Sequence, residues 1–135
     1  MKRFILPVIL VILIGVFAPV FVFAQDSFDP DLKYAQVRAV EIDRNSDGSY
    51  DVDVTVRHAD EGWDHYADRW EIVNPETGEI IAVRELLHPH VNEQPFTRSI
   101  TGVEVPEGID SILVRARCNL HGFEGRQVVK ELPSE

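Results

Sequence analysis

The chain has 135 residues, with 23 Asp and Glu against 13 Lys and Arg and a formal net charge of −10 with neutral histidines. That length suits one domain, and that charge excludes nucleic acid and anionic membrane as favourable partners while favouring cations and basic proteins. Cys118 is the single cysteine, so no internal disulfide can form, and stability has to come from packing or from a bound ion.

The chain opens on Met1, Lys2 and Arg3, followed by an apolar stretch over 4–24. Positive charge before an apolar run is the pattern of a secretory signal. The run reaches the ~20 residues needed to span a bilayer, but Pro7, Gly15 and Pro19 weaken a continuous spanning helix. Val22-Phe23-Ala24 offers modest side chains at the −3 and −1 positions, which puts cleavage between Ala24 and Gln25. No cysteine stands at that cut for a lipid anchor. The expected domain order is a signal peptide over 1–24, a polar lead-in over 25–33 and a folded domain over 34–135. The expected location is the periplasm or the exterior, without stable membrane insertion after cleavage; the alternative is an uncleaved N-terminal anchor.

Seven strands are predicted in the remainder, divided by turn signals. The first covers 34–43 and ends in Asn45-Ser46-Asp47-Gly48. The second, 50–58, is the clearest: Tyr50, Val52, Val54 and Val56 alternate with polar residues at the period of a half-buried strand. The third, 69–74, carries Trp70 and Ile72 inward, and Asn74-Pro75-Glu76-Thr77-Gly78 turns it into the fourth, 79–87. The fifth covers 96–103. The sixth, 109–118, points Ile112, Val114, Ala116 and Cys118 inward, and the seventh covers 126–132. Short alternating strands without a long helical period imply an all-β, seven-stranded antiparallel β-sandwich.

This pattern resembles the immunoglobulin-like and fibronectin type III-like superfold, with Trp70 where such folds bury a tryptophan on the third strand. The strings Gly62-Trp63-Asp64-His65-Tyr66-Ala67-Asp68, His88-Pro89-His90 with Glu93-Gln94-Pro95-Phe96-Thr97-Arg98-Ser99, and His121-Gly122 resemble a group of small secreted bacterial proteins of unassigned function. Fold-level resemblance supplies no activity.

If successive connections alternate between the two ends of the sandwich, the loops after the second, fourth and sixth strands share one end. All five histidines, His58, His65, His88, His90 and His121, fall at that end. Imidazole is the commonest transition-metal ligand, and zinc or copper takes three or four nitrogen or sulfur donors. His65, His88, His90 and His121 are the expected ligands. His88 and His90 are paired across one residue, with His58, Cys118, Asp64 and Glu93 as further candidates. Asp64, Asp68, Glu93 and Glu124 could orient the rings. The plainer reading makes the histidines loop-pinning polar groups, His58 a structural residue under the loops, and Cys118 a small core residue.

Cys118-Asn119-Leu120-His121 also resembles the copper loop of cupredoxins, although no methionine follows and only Gln127 is left as a weak axial candidate. Asp43 to Gly48 matches the opening of a calcium loop, but Val54 stands where a bidentate glutamate belongs, so an acidic hairpin turn explains it better. Trp63 and Tyr66 could form a recognition patch for a protein or glycan, or tuck down onto the core. With no serine elbow, phosphate loop or dinucleotide fingerprint, the expectation is a non-enzymatic exported binding protein. Its expected partner is a copper or zinc ion, or a periplasmic or extracellular protein.

Overall fold

The computed structural model describes residues 32–134. The expected signal peptide, nearly all of the lead-in and Glu135 lie outside the described residues. Among the described residues, no helix is long and apolar enough to cross a membrane.

All seven expected strands form: β1 (Gln36–Arg44), β2 (Tyr50–Arg57), β3 (Ala67–Val73), β4 (Ile80–Glu85), β5 (Phe96–Val103), β6 (Ser111–Cys118) and β7 (Val128–Glu131). They build two antiparallel sheets, one ordered β1-β2-β5 and the other β4-β3-β6-β7. The alternation in β2 and β6 has the expected result. Val52, Val54 and Val56 from one sheet meet Ile112, Val114, Ala116 and Cys118 from the other, all buried. Trp70 and Ile72 of β3 are fully buried in the same core, which fits β-branched and aromatic side chains on a pleated face.

Only β5 has the expected bounds; the other strands differ by one or two residues at an end, and two of these ends show why. β6 begins at Ser111 because the Ile109 N–H is drawn into the preceding turn by the Pro106 carbonyl. β7 begins at Val128 because Arg126 turns to β1: Val37 N–H donates to the Arg126 carbonyl at 2.9 Å, and Arg126 N–H donates to Gln36 Oε1 at 2.6 Å. The first turn is closed by its own side chains. Asn45 Nδ2 donates to Asp51 Oδ1 and Ser49 Oγ to Asp47 Oδ1, the arrangement of an acidic hairpin turn.

The loops after β2, β4 and β6 do share one end. His90 N–H donates to Asp60 Oδ2, and Tyr66 N–H to Asn119 Oδ1, while Asn119 N–H donates back to the Tyr66 carbonyl. The segment before β1 is laid against the same end, and Gly125 makes this possible. A Cβ on residue 125 would sit 1.9 Å from the Ala35 carbonyl oxygen, far inside van der Waals contact. Gly125→Ala should therefore destabilise the fold by roughly 1–3 kcal/mol, the usual cost of overpacking, read as a lower urea midpoint. An unchanged midpoint would show that the 33–37 segment is not held where the structure has it.

Candidate metal centre

Two inward-facing series run past the apolar core and end in metal-ligating side chains. On β2 the series Val52, Val54, Val56 continues to His58, which is 1% exposed; on β6 it ends at Cys118, which is fully buried. Because the sheets face each other, the two ends meet at the same pole. Two tight turns supply the rest. In the first, Glu61 N–H donates to the His65 carbonyl and His65 N–H to the Gly62 carbonyl, folding the loop so that His65 is buried beside His58. In the second, Cys118 and Gly122 exchange backbone hydrogen bonds at 3.0 and 2.8 Å. Gly122 has φ +67°, a left-handed conformation natural to glycine. This turn returns His121 over Cys118.

His58, His65 and Cys118 could hold a metal ion: each offers one donor atom, and these atoms all lie within 4.8 Å of one another. The His58 and His65 rings meet edge to face at 4.7 Å, and His65 and His121 at 5.1 Å. His121 Nδ1 is 3.6 Å from Cys118 Sγ.

The surrounding groups orient these rings. His58 Nδ1 lies 2.5 Å from Asp60 Oδ1, with both side chains fully buried. Asp60 also accepts from Ala67 N–H at 3.0 Å and from His90 N–H at 2.7 Å. Burial pushes the Asp60 carboxyl up, but the bonds from His58, His90 and Ala67 outweigh it and leave it below the usual carboxylate range. His65 Nδ1 faces Glu61 Oε2 at 3.5 Å. The opposite nitrogens, Nε2 of His58 and of His65, both point at the Lys33 carbonyl oxygen, at 3.0 and 3.3 Å. A proton on His58 Nδ1, towards Asp60, leaves the Nε2 lone pair facing the Lys33 carbonyl oxygen, and a cation held between them would reconcile the two.

The loop that carries His121 is clamped from outside. Phe123 lies under the Arg115 guanidinium at 4.3 Å and the Arg69 guanidinium at 5.7 Å. Both arginines pair with Glu71, which is 1% exposed. A cation–π stack on a carboxylate-pinned pair restrains the backbone two residues from His121.

The expected residues divide into two groups. His65 and His121 come together, joined by His58 and Cys118. His88 and His90 are not brought to this group. They pair with each other, rings 4.5 Å apart, and His90 stacks on Phe96 at 3.9 Å and lies 3.0 Å from Arg98 Nη2 through its Nε2. Asp60 connects the two groups. Among the acidic candidates, Glu93 pairs with Arg98, Asp68 pairs with Arg117, and Asp64 and Glu124 are exposed. Trp63 is 65% exposed and packs edge to face on Tyr66.

Sequence reasoning missed Asp60 and the Lys33 carbonyl. Asp60 could have been found as an acid two residues beyond an inward-phased histidine. A backbone carbonyl leaves no signal in residue type.

No family model matches the chain. A protein of Halomicrobium mukohataei described as "Putative lipoprotein" is 39% identical over 104 residues, covering 77% of this chain and 50% of that protein. The chain thus spans about half the length of this relative. A superoxide reductase (1Fe-SOR) from Giardia intestinalis overlays with a TM-score of 0.44 and 19% identity, covering 72% of this chain and 99% of that one; a likeness of this degree does not define a shared fold.

Two outcomes follow. Asp60→Ala strips the acceptor from buried donors on three chain segments, so it should cost roughly 3 kcal/mol or more, measured by urea denaturation at pH 7; a loss below about 1 kcal/mol would contradict the hub role. Burial, then Arg98 and His88, hold the His90 imidazole below its ordinary 6.5. A histidine depressed in the fold contributes stability that is present above the unfolded value and lost as pH falls from there through the folded value. The urea midpoint should fall from pH 7 to pH 5, and His90→Gln should shrink that fall; an equal fall in the variant would remove His90 from the account.

Proposed function

We propose that this chain is an exported metal-binding protein whose sandwich holds a transition metal, copper or zinc, among His58, His65, Cys118 and His121. The observation that carries this is the convergence of three buried donors, two imidazoles and a thiol, within 4.8 Å. A thiolate with imidazoles is the donor set of zinc, copper and iron sites, and hard oxygen-seeking cations are poorly served by it. Bonds of about 2.3 Å to sulfur and 2.0–2.1 Å to nitrogen would meet at about 110° across the 3.6 Å between Cys118 Sγ and His121 Nδ1, a tetrahedral angle. Asp60 on His58 and Glu61 on His65 supply the carboxylate partners that metal-bound imidazoles ordinarily have.

Export is supported by the charged and apolar N-terminal pattern and by the lipoprotein description of the Halomicrobium relative. The three-plus-four division of strands supports the immunoglobulin-like, fibronectin type III-like reading of the sandwich. Burial of His58, His65 and Cys118 leaves little of the ion open to a substrate, which favours storage, delivery or sensing over catalysis. Electron transfer at the same centre is a second reading, favoured by the thiol among its donors. A protein- or glycan-binding role through Trp63 and Tyr66 rests on the exposure of Trp63.

Metal content and absorption test the proposal. The purified protein should carry or take up about one equivalent of copper or zinc. With copper(II) it should show a thiolate-to-metal absorption band. Cys118→Ser should abolish the band, and His65→Ala should weaken affinity at least about tenfold. Asp60→Asn should weaken it about 10–100-fold, as loss of a ring-orienting carboxylate does, while His88→Ala leaves it intact. Uptake that survives Cys118→Ser and His65→Ala together would overturn the assignment. Absence of any uptake would leave the recognition reading.

A further inference from the structure

A recess beside the second histidine pair carries two arginines, although the chain as a whole is strongly acidic. Arg84, His88, His90 and Arg98 surround a cavity of about 100 Å³, with Glu85 and Leu86 completing much of the wall. That is several times the space a single water needs.

Two buried nitrogens here lack an acceptor. Arg84 stands opposite Trp70 in the ladder between β3 and β4, and its buried Nε has no hydrogen-bond partner. Its guanidinium has no carboxylate within ion-pair distance among the described residues, whereas Arg69, Arg98, Arg115 and Arg117 each have one. The His90 side chain is 2% exposed. Its Nε2 faces the Arg98 Nη2 donor, so a neutral ring carries its proton on Nδ1, and that atom is also unpartnered. The nearest carboxylate oxygen, Asp60 Oδ2, is 4.0 Å away and already accepts a shorter bond from the His90 backbone. Arg98 donates to the Thr97 carbonyl at 2.8 Å and faces His90 Nε2 at 3.0 Å, but its one carboxylate partner, the exposed Glu93, is distant at 3.4 and 3.5 Å. Buried donors of this kind are normally satisfied, and guanidinium groups bind oxyanions through paired charge-assisted hydrogen bonds.

We propose that this recess is a binding site for a small oxyanion of phosphate size, held chiefly by Arg84 and Arg98, with His88 at its exposed rim. The site is separate from the His58, His65 and Cys118 group and does not depend on a metal there. An arginine on the inner face of an edge strand can also serve simply to discourage edge-to-edge pairing; that role needs no ligand, and the experiment separates the two.

The full exported chain, without added metal, is titrated with sodium phosphate and, at matched ionic strength, with sodium chloride and sodium acetate, while the Arg Nε–H and His ring resonances are followed. The expected result is saturable movement of the Arg84 and His88 signals with phosphate and only linear drift with chloride. Saturation with acetate as well would identify carboxylates as an equal source of the ligand. Arg84→Gln should weaken phosphate binding at least about tenfold, one charge-assisted contact's worth. His88→Ala, at an exposed position that leaves the core untouched, should weaken it less and guards against a folding defect in the first variant. Linear drift with every anion, or saturation unchanged in Arg84→Gln and His88→Ala, would overturn the proposal.

Discussion

A buried carboxylate holds the histidine end of this sandwich together. Asp60 takes a ring contact from His58 and backbone N–H groups from Ala67 and His90, so the end of β2, the start of β3 and the loop before β5 converge on two oxygen atoms. An ionised group in a dry core is costly unless its lone pairs are filled. Here three donors fill them, and the carboxyl stays acidic despite its burial. Asp60 at Nδ1 and the Lys33 carbonyl at Nε2 together fix the His58 ring at the orientation it shares with His65.

The centre forms where two regular strands stop being apolar. The alternation that buries valines on β2 and aliphatic residues on β6 carries on for one more step, to His58 and Cys118. Opposed sheets bring those steps face to face. Short turns then add His65 and His121, and Phe123, gripped by Arg69 and Arg115, keeps the last turn in place. The donors of His58, His65 and Cys118 are buried and their turns are held by backbone hydrogen bonds, which suits a preorganised site.

The same pole carries chemistry of two kinds. Sulfur and imidazole nitrogen converge in the interior, while guanidinium groups and a second imidazole pair surround a recess nearer the edge of β4. Asp60 lies between them, touching His58 on one side and the backbone of His90 on the other. An acidic surface elsewhere keeps like molecules apart and raises the local concentration of cations.

Strand count, strand positions and the inward series were legible from alternation alone, because a period of two is dictated by the pleat and needs no tertiary knowledge. The gathering of histidine-bearing loops at one pole was legible too, since it follows from connections that alternate between ends. Which side chains meet was not. His88 and His90, close in sequence, turn to Phe96 and Arg98, while Cys118 and His58, which pattern alone reads as core, stand beside His65. Alternation tells which face a residue occupies, not which partner stands across the gap. That is set by how far the two sheets are offset, by the Gly125 contact that lays Lys33 over the rings, and by the hydrogen bonds of Asp60, all of which exist only once the chain has folded.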